Sequence, residues 1–409
     1  MKKTLLIIFT LLIAMTHQAQ NKQIMNNKDY THLWQQVEEM EQQSLPKSAS
    51  EIVNTILKQA ITDKNSPQVI KSLIHQGKYD LAIDAENDTL MFHNLKQMLA
   101  TTNDVVEQSV INSMLAELYL QYYNKDRWNI YHRTQLADFV PADMKEWTKN
   151  NFFDKVVTHA NASLTAQAEL EQTEVKTYKA VVNLKKESRE FYPSLFDFLA
   201  LRALDILKGV DSDQDLSRSL SKADIDKKSL FAPVDEFVQL TVEPDAANYN
   251  LHVFLVYQKL LSSLQSRGLD KSVLLVELDK MNYLKRLDAA YKLYAFDALQ
   301  KMLEEWKDKD FSVEIVNEMI PFYESREVGG FRREQEGVKN HPKTKELYNL
   351  LIETIATFPK YERINLLKNK LRSITNPVFS VEGDKSFTIL GEKQLGLNYK
   401  NIKQLKVKL

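Results

Sequence analysis

Apolar residues recur three and four positions apart from about Tyr30 to Ile374, and over residues 375–409 they alternate. The first spacing places a stripe on a helix, the second on one face of a strand. Tyr30, Leu33, Val37 and Met40 mark the first helix. Ser44-Leu45-Pro46 closes it and opens a second, striped by Ala49, Ile52, Ile56 and Ala60. Ser66-Pro67 repeats the device, a cap followed by proline in the first turn, before Ile70, Leu73 and Ile74. Short helices joined by tight turns build tetratricopeptide-like solenoids, although the period is irregular and that repeat's signature residues are mostly missing.

A polar connector, Ala85 to Thr89, leads to a helix over Asp104 to Tyr123, striped by Ile111, Leu115, Leu118 and Tyr122. Pro141 is expected to open a helix running through Trp147, and Phe152, Val156, Ala160 and Leu164 mark the next. Pro193 opens one carrying Phe196, Leu199, Ala203, Ile206 and Leu207, with Gly209 expected just past its end. The charged stretch 210–247 reads as an irregular surface linker and a domain boundary. Beyond it, Leu251, Phe254, Leu255 and Leu261 form a helix closed by Gly268. Phe296, Leu299, Leu303 and Trp306 form another, and Ile315, Met319 and Phe322 a third. Pro342 precedes a helix with Leu347, Leu350, Leu351, Thr354 and Phe358, broken by Pro359. Ile364, Leu367, Leu371 and Ile374 mark the last.

The alternation then runs through Leu395, Leu397 and Tyr399, and through Leu405, Val407 and Leu409. These strands need a sheet around them that the remaining sequence is too short to supply. The chain therefore reads as the front of a longer protein, stopping as a β domain begins. The expected fold is mainly α, an irregular array of helical hairpins with a short β segment at the C-terminus. Its organisation is a leader at 1–19, a helical block at 20–209, the linker at 210–247, a second helical-repeat-like block at 248–374 and an incomplete β domain at 375–409.

Lys2 and Lys3 followed by the apolar run Leu5 to Met15 form a secretory leader, with cleavage expected near Ala19. A run of 11 residues is too short to span a bilayer, which takes about 20. The expected destination is the periplasm, cell envelope or exterior, with no transmembrane segment in the mature chain. Without Lys2 and Lys3, 52 basic side chains face 55 acidic ones, an interspersed balance that gives no basic face for nucleic acid. The absence of cysteine excludes disulfides, thiolate metal sites and a cysteine nucleophile. A hydrophobic content of 44% and an aromatic content of 10% belong to a folded chain.

No HExxH, GxSxG or GxxxxGK[ST] occurs, and no cofactor or metal is expected. Asp154 and His159 are five apart and fall on different helix faces, which argues against a metal pair. Glu38-Glu39 and Glu304-Glu305 sit on expected solvent faces. Gly329-Gly330 and Arg332-Arg333 belong to a polar loop. The one constellation that stands out is the corner Trp128, Tyr131, His132 and Arg133. It could bind an anionic or sugar ligand, but such groups more often pack and cap a corner between helices, with the arginine stacked or paired. An all-helical lyase or hydrolase would need a cleft for which only this corner qualifies.

Several stretches resemble the N-terminal region of large bacterial alpha-2-macroglobulin-like proteins. They are "YTHLWQQVEEMEQQSLPKSASEIVNTILKQAITDKNSPQVIKSLIH" (Tyr30 to His75), "LAELYLQYYNKDRWNIYHRT" (Leu115 to Thr134), "YPSLFDFLALRALDIL" (Tyr192 to Leu207) and "FAPVDEF" (Phe231 to Phe237). The end matches too, with "FPKYERINLLKNKL" followed by "LNYKNIKQLKVKL". In that family a helical region precedes macroglobulin-type β-sandwich domains, a bait segment cut by an attacking protease, and in many members a thioester. This chain has no cysteine for a thioester and no recognisable bait. The resemblance therefore implies a non-catalytic helical scaffold of an exported protease-trapping protein. Its partners would be downstream macroglobulin domains of the same protein and, through the full-length protein, proteases. The alternative is a stand-alone secreted helical-repeat adaptor for glycan uptake or envelope assembly.

Overall fold

A computed structural model describes residues 30–84, 89–134, 139–182, 190–210, 225–243, 249–288, 291–324, 344–382 and 396–406. The expected leader, most of the Ala85–Thr89 connector and the loop carrying Gly329, Gly330, Arg332 and Arg333 lie outside these residues. The fold is mainly helical with one short antiparallel ribbon, as the two periodicities required. The chain divides into two compact units. One comprises residues 1–219 and 242–260, the other 220–241 and 261–409.

The first unit begins with α1 (30–42), α2 (Pro46–Thr62) and α3 (Ser66–Ile83). α2 and α3 form a helical hairpin, and both carry proline in their first turn. The N-cap positions belong to Leu45 and Asn65, neither capping with its side chain, so Ser44 and Ser66 are not the caps the sequence suggested. Ser44 and Lys64 instead take positive φ, closing the two tight turns, and Ser66 donates to the Asp104 carboxylate at 3.2 Å. Ala49, Val53, Ile56 and Ala60 are buried along α2, and buried Trp34 donates to Gln68 Oε1 at 2.7 Å across the bundle.

After α4 (Leu90–Thr101), Asp104 caps α5 (Val105–Lys125) by accepting from the backbone N–H groups of Val106 and Glu107. α5 is buried on more than the expected stripe: Tyr119 and Tyr123 are inside, whereas Leu118 and Tyr122 are half-buried. The reason is its place among α3, α4, α8 (Gln167–Gln172), α7 (Lys149–Ala162) and α9 (Leu195–Lys208). The helix expected from Pro141 to Trp147 is absent. Only a 3₁₀ turn over Met144–Glu146 forms, because Thr148, in a reciprocal capping box with Asn151, starts α7 there. Ser194 and Asp197 form a second capping box at α9, with Asp197 fully buried. Gly209 ends α9 at φ −83°, not left-handed; a Cβ there would sit 3.0 Å from Leu120 Cδ2, so its requirement is close packing on α5.

Aromatic rings fill the centre of this unit. Tyr119 stacks on Trp147 at 5.7 Å and on His159 at 5.6 Å, Phe92 lies 4.8 Å from Tyr119, and Tyr123 meets Phe153 edge-on at 4.7 Å. Phe153 in turn meets Tyr249, whose hydroxyl donates to Asp154 at 3.1 Å.

Residues 225–241 of the stretch expected as a surface linker belong to the second unit and carry buried side chains among exposed ones. A 3₁₀ turn over Lys227–Phe231 and the short α10 (Val234–Phe237) bury Leu230, Phe231, Val234 and Phe237. Residues 250–260 of α11 (Asn250–Ser266) belong to the first unit and the rest to the second; beyond its end Gly268, φ +68°, leads to α12 (Asp270–Leu287), a helix the sequence reading passed over. α13 (Lys292–Trp306), α14 (Ser312–Glu324), α15 (Thr344–Thr357) and α16 (Ile364–Thr375) follow among the described residues. Buried Glu314 of α14 accepts from the Tyr361 hydroxyl at 2.9 Å and from Arg363 Nη1 at 2.8 Å, fastening the α15–α16 turn. The ribbon pairs β1 (Val378–Glu382) with β2 (Gly396–Lys400). Leu405, read as part of a further strand, lies in no strand and is exposed, and Val407 and Leu409 fall outside the described residues.

Glu314→Ala strips the partner from Tyr361 and Arg363 and is expected to cost about 2–3 kcal/mol in urea denaturation, with Glu314→Gln costing less. A second expectation concerns acid. Burial, helped by Lys155 and Lys96, pushes the His159 imidazole down to about 4 from 6.5. The unfolded chain takes up this proton first, so stability is lost as pH falls from 6.5 towards 4. The loss is about 1–2 kcal/mol once solvent screening is discounted. His159→Gln should flatten that limb in melts recorded across the range.

Candidate functional site

The sequence-derived corner forms around α6 (Arg127–Tyr131), a single turn of helix after α5. Its one buried residue is Ile130, which anchors the turn. Trp128 and Tyr131 point outward, 78% and 62% exposed. The His132 ring lies edge-on to both, at 5.0 and 5.5 Å, so the three rings form one connected surface. Arg133 has a different task. Its Nη1 donates to the Trp147 carbonyl at 2.8 Å and its Nη2 lies 3.6 Å from the Asp126 carboxylate. Trp147 Nε1 donates to the Pro141 carbonyl at 2.8 Å. The corner thus splits: Arg133 holds the chain to the start of α7, and the aromatic rings stand in water. Packing does not explain the rings.

Asp154 and His159, already doubtful as a metal pair, go to separate partners: Asp154 to Tyr249 and His159 to Asn112 Oδ1, at 2.8 Å. Among the described residues no group of three metal-ligating side chains comes together, and no helix is long and apolar enough to cross a membrane.

The ribbon is the second surface. Opposed residues of an antiparallel pair share a face. The register Phe379↔Tyr399 and Val381↔Leu397 therefore makes one face wholly apolar. Val378↔Lys400, Ser380↔Asn398 and Glu382↔Gly396 make the other, mostly polar. Phe379, Val381, Leu397 and Tyr399 are 43–63% exposed. A two-stranded ribbon is marginal alone. This one is fixed at its base, where Lys400 Nζ donates to the Ser373 carbonyl at 2.8 Å and Asn401 Nδ2 to the Ile374 carbonyl at 2.6 Å, both at the end of α16. Asn401 takes φ +57° to reach it.

The third place was missed by the sequence reading. Glu277 and Lys280 lie on α12 in the same stripe as Val273 and Leu284, where apolar residues are due. A charge at a stripe position was the available signal. Both are buried, and Lys280 Nζ makes no hydrogen bond but sits 3.6 Å from the centroid of the Phe237 ring. Burial lowers the Lys280 pKa, which Glu277 only partly opposes, and burial raises that of Glu277, with Lys280 opposing. They line a recess of about 20 Å³ together with Phe231, Met281, Met302 and Lys301. The recess adjoins a groove of about 260 Å³, bordered by the same 3₁₀ turn and by Tyr294 and Asp297 of α13.

Comparison of the chain with protein-family models, with curated proteins and with solved structures gave no match. The corner can be dissected directly. Arg133→Ala should destabilise the protein by about 1–2 kcal/mol through the lost charge-assisted hydrogen bond, whereas Trp128→Ala should change stability by less than about 0.5 kcal/mol. Thermal melts of the two variants check this.

Proposed function

We infer that the chain is a non-catalytic helical scaffold of an exported protein of the alpha-2-macroglobulin-like, protease-trapping class. The observation that carries this reading is the ribbon. Its strands alternate with a fully apolar face in water, and they are pinned to the last helix rather than folded back onto it. A β-layer in this state calls for a second layer, as a macroglobulin-type β-sandwich would supply. The stretches quoted above, in the same order as in such proteins, support the same assignment. In this role the helices hold β domains of the same protein in place, and proteases are met by those domains. No catalytic residue is assigned.

The stand-alone envelope adaptor is the second reading, favoured by the exposed rings of Trp128, Tyr131 and His132, which suit a partner surface or a glycan.

Two measurements separate these readings. An antibody raised to residues 20–374 should detect, in an envelope fraction, a species several times larger than the 47.5 kDa of this sequence. The isolated chain should also leave trypsin-like and elastase-like activity unchanged. A native species near the size of this chain would favour the adaptor. Inhibition by the isolated chain would defeat the scaffold reading, and glycan turnover abolished by His132→Ala or Arg133→Ala would replace both with an enzyme.

A further inference from the structure

Most buried lysines are paired, because an ammonium taken out of water loses several kcal/mol of hydration. Lys280 is 3% exposed and donates no hydrogen bond. Its Nζ sits over the face of Phe237, 3.6 Å from the ring centroid. Desolvation favours the neutral amine, a nucleophile with a free lone pair. Glu277, one helical turn earlier, lines the same recess, and burial there raises its affinity for a proton. The pair is therefore an amine able to give up a proton beside a carboxylate able to take one.

The recess restricts what can reach the amine. Its free space of about 20 Å³ suits a molecule of two or three atoms. A sugar or peptide has no room. Met281, Met302 and Ala298 give it apolar walls, which suit an uncharged entrant. Lys301 lines both the recess and the adjoining groove, placing a cation at its mouth. Glu305 of α13 and Asp235 of α10 also act on Glu277, and both raise its proton affinity.

We propose that Lys280 is a carbamylation site, at which carbon dioxide entering from the groove adds to the buried amine. The nitrogen lone pair attacks the carbon and forms the N–C bond, and one C–O π pair moves onto oxygen. The proton leaving nitrogen passes to Glu277. A neutral amine and a carboxylate thus become a carbamate and a carboxylic acid, with no change in net charge. Lys301 faces the new anion. The proposal is independent of the scaffold reading, since it needs only the second unit's recess.

The test uses the intact protein in ¹³C-bicarbonate at pH 8, trapped with triethyloxonium and mapped by mass spectrometry after digestion. The expected result is an ethoxycarbonyl group at Lys280, at least tenfold above the mean of the surface lysines. At pH 6 the label should fall severalfold, as the amine becomes protonated. Lys280→Arg should abolish it, and Glu277→Gln should lower it severalfold by removing the proton acceptor. Circular dichroism checks the folding of both variants. Should Lys280→Arg not fold, the wild-type pH dependence and the Glu277→Gln measurement decide the matter. Labelling of Lys280 no greater than that of surface lysines, or undiminished at pH 6, would overturn the proposal and leave Lys280 as an amine resting on Phe237.

Discussion

The first unit depends on the aromatic seam along α5. Phe92, Tyr119, Tyr123, Trp147, Phe152, Phe153, His159 and Tyr249 come from three helices and two connecting segments, and they form one connected chain of rings. Each ring pair contributes about 0.5–1.5 kcal/mol beyond the burial of its surface. The seam also fixes the ends of its helices. Trp147 stacks on Tyr119 while its carbonyl accepts from Arg133, so the α6 turn and the start of α7 are located by the same residue. The surface rings of Trp128 and Tyr131 owe their position to this anchorage, since α6 itself buries only Ile130. A five-residue helix with one buried side chain has little stability of its own.

Much of this was legible because amphipathic spacing is a local signal. Phe152, Val156, Ala160 and Leu164 were read as one stripe and are all buried, and the alternation at Leu397 and Tyr399 was read as a strand and is one. Helix ends were harder. Pro141 looked like a helix start, but the competing signal was the reciprocal cap of Thr148 and Asn151, seven residues later. The charged stretch after residue 210 hid Leu230, Phe231, Val234 and Phe237, whose short turns are too brief to show a period. α12 was passed over because Glu277 and Lys280 interrupt its stripe. The corner was half legible. Composition identified its four residues, but only the three-dimensional arrangement assigns Arg133 to the Trp147 carbonyl and leaves the rings exposed.

The second unit places polar groups inside in two contrasting ways. Glu314 is buried with a hydroxyl and a guanidinium both donating to it, an arrangement that returns much of the lost hydration. Lys280 is buried with an aromatic face and no acceptor. A cation over a ring recovers about 2 kcal/mol when desolvated, well short of the hydration lost. The first arrangement is explained by the turn it holds. The second stabilises nothing comparable and leaves an amine whose proton affinity burial lowers, in a recess that adjoins an open groove. Structural economy would put leucine or methionine at this stripe position, as at Leu284 and Met281.

The ribbon poses the same kind of imbalance at the surface. Burying a side chain such as Phe379 or Leu397 is worth about 1.5–3 kcal/mol, and here four such side chains on one face stay largely in water. The strands nonetheless keep register, because Lys400 and Asn401 are tied to α16 by backbone acceptors and because Asn398 reaches Glu382 at 2.7 Å on the polar face. The apolar face therefore does not hold the ribbon to the helices. Its alternation is the pattern of a strand with a covering layer, and the helices supply only the tether. The ribbon is thus held to α16 by polar contacts at its base, while its apolar face stays largely uncovered.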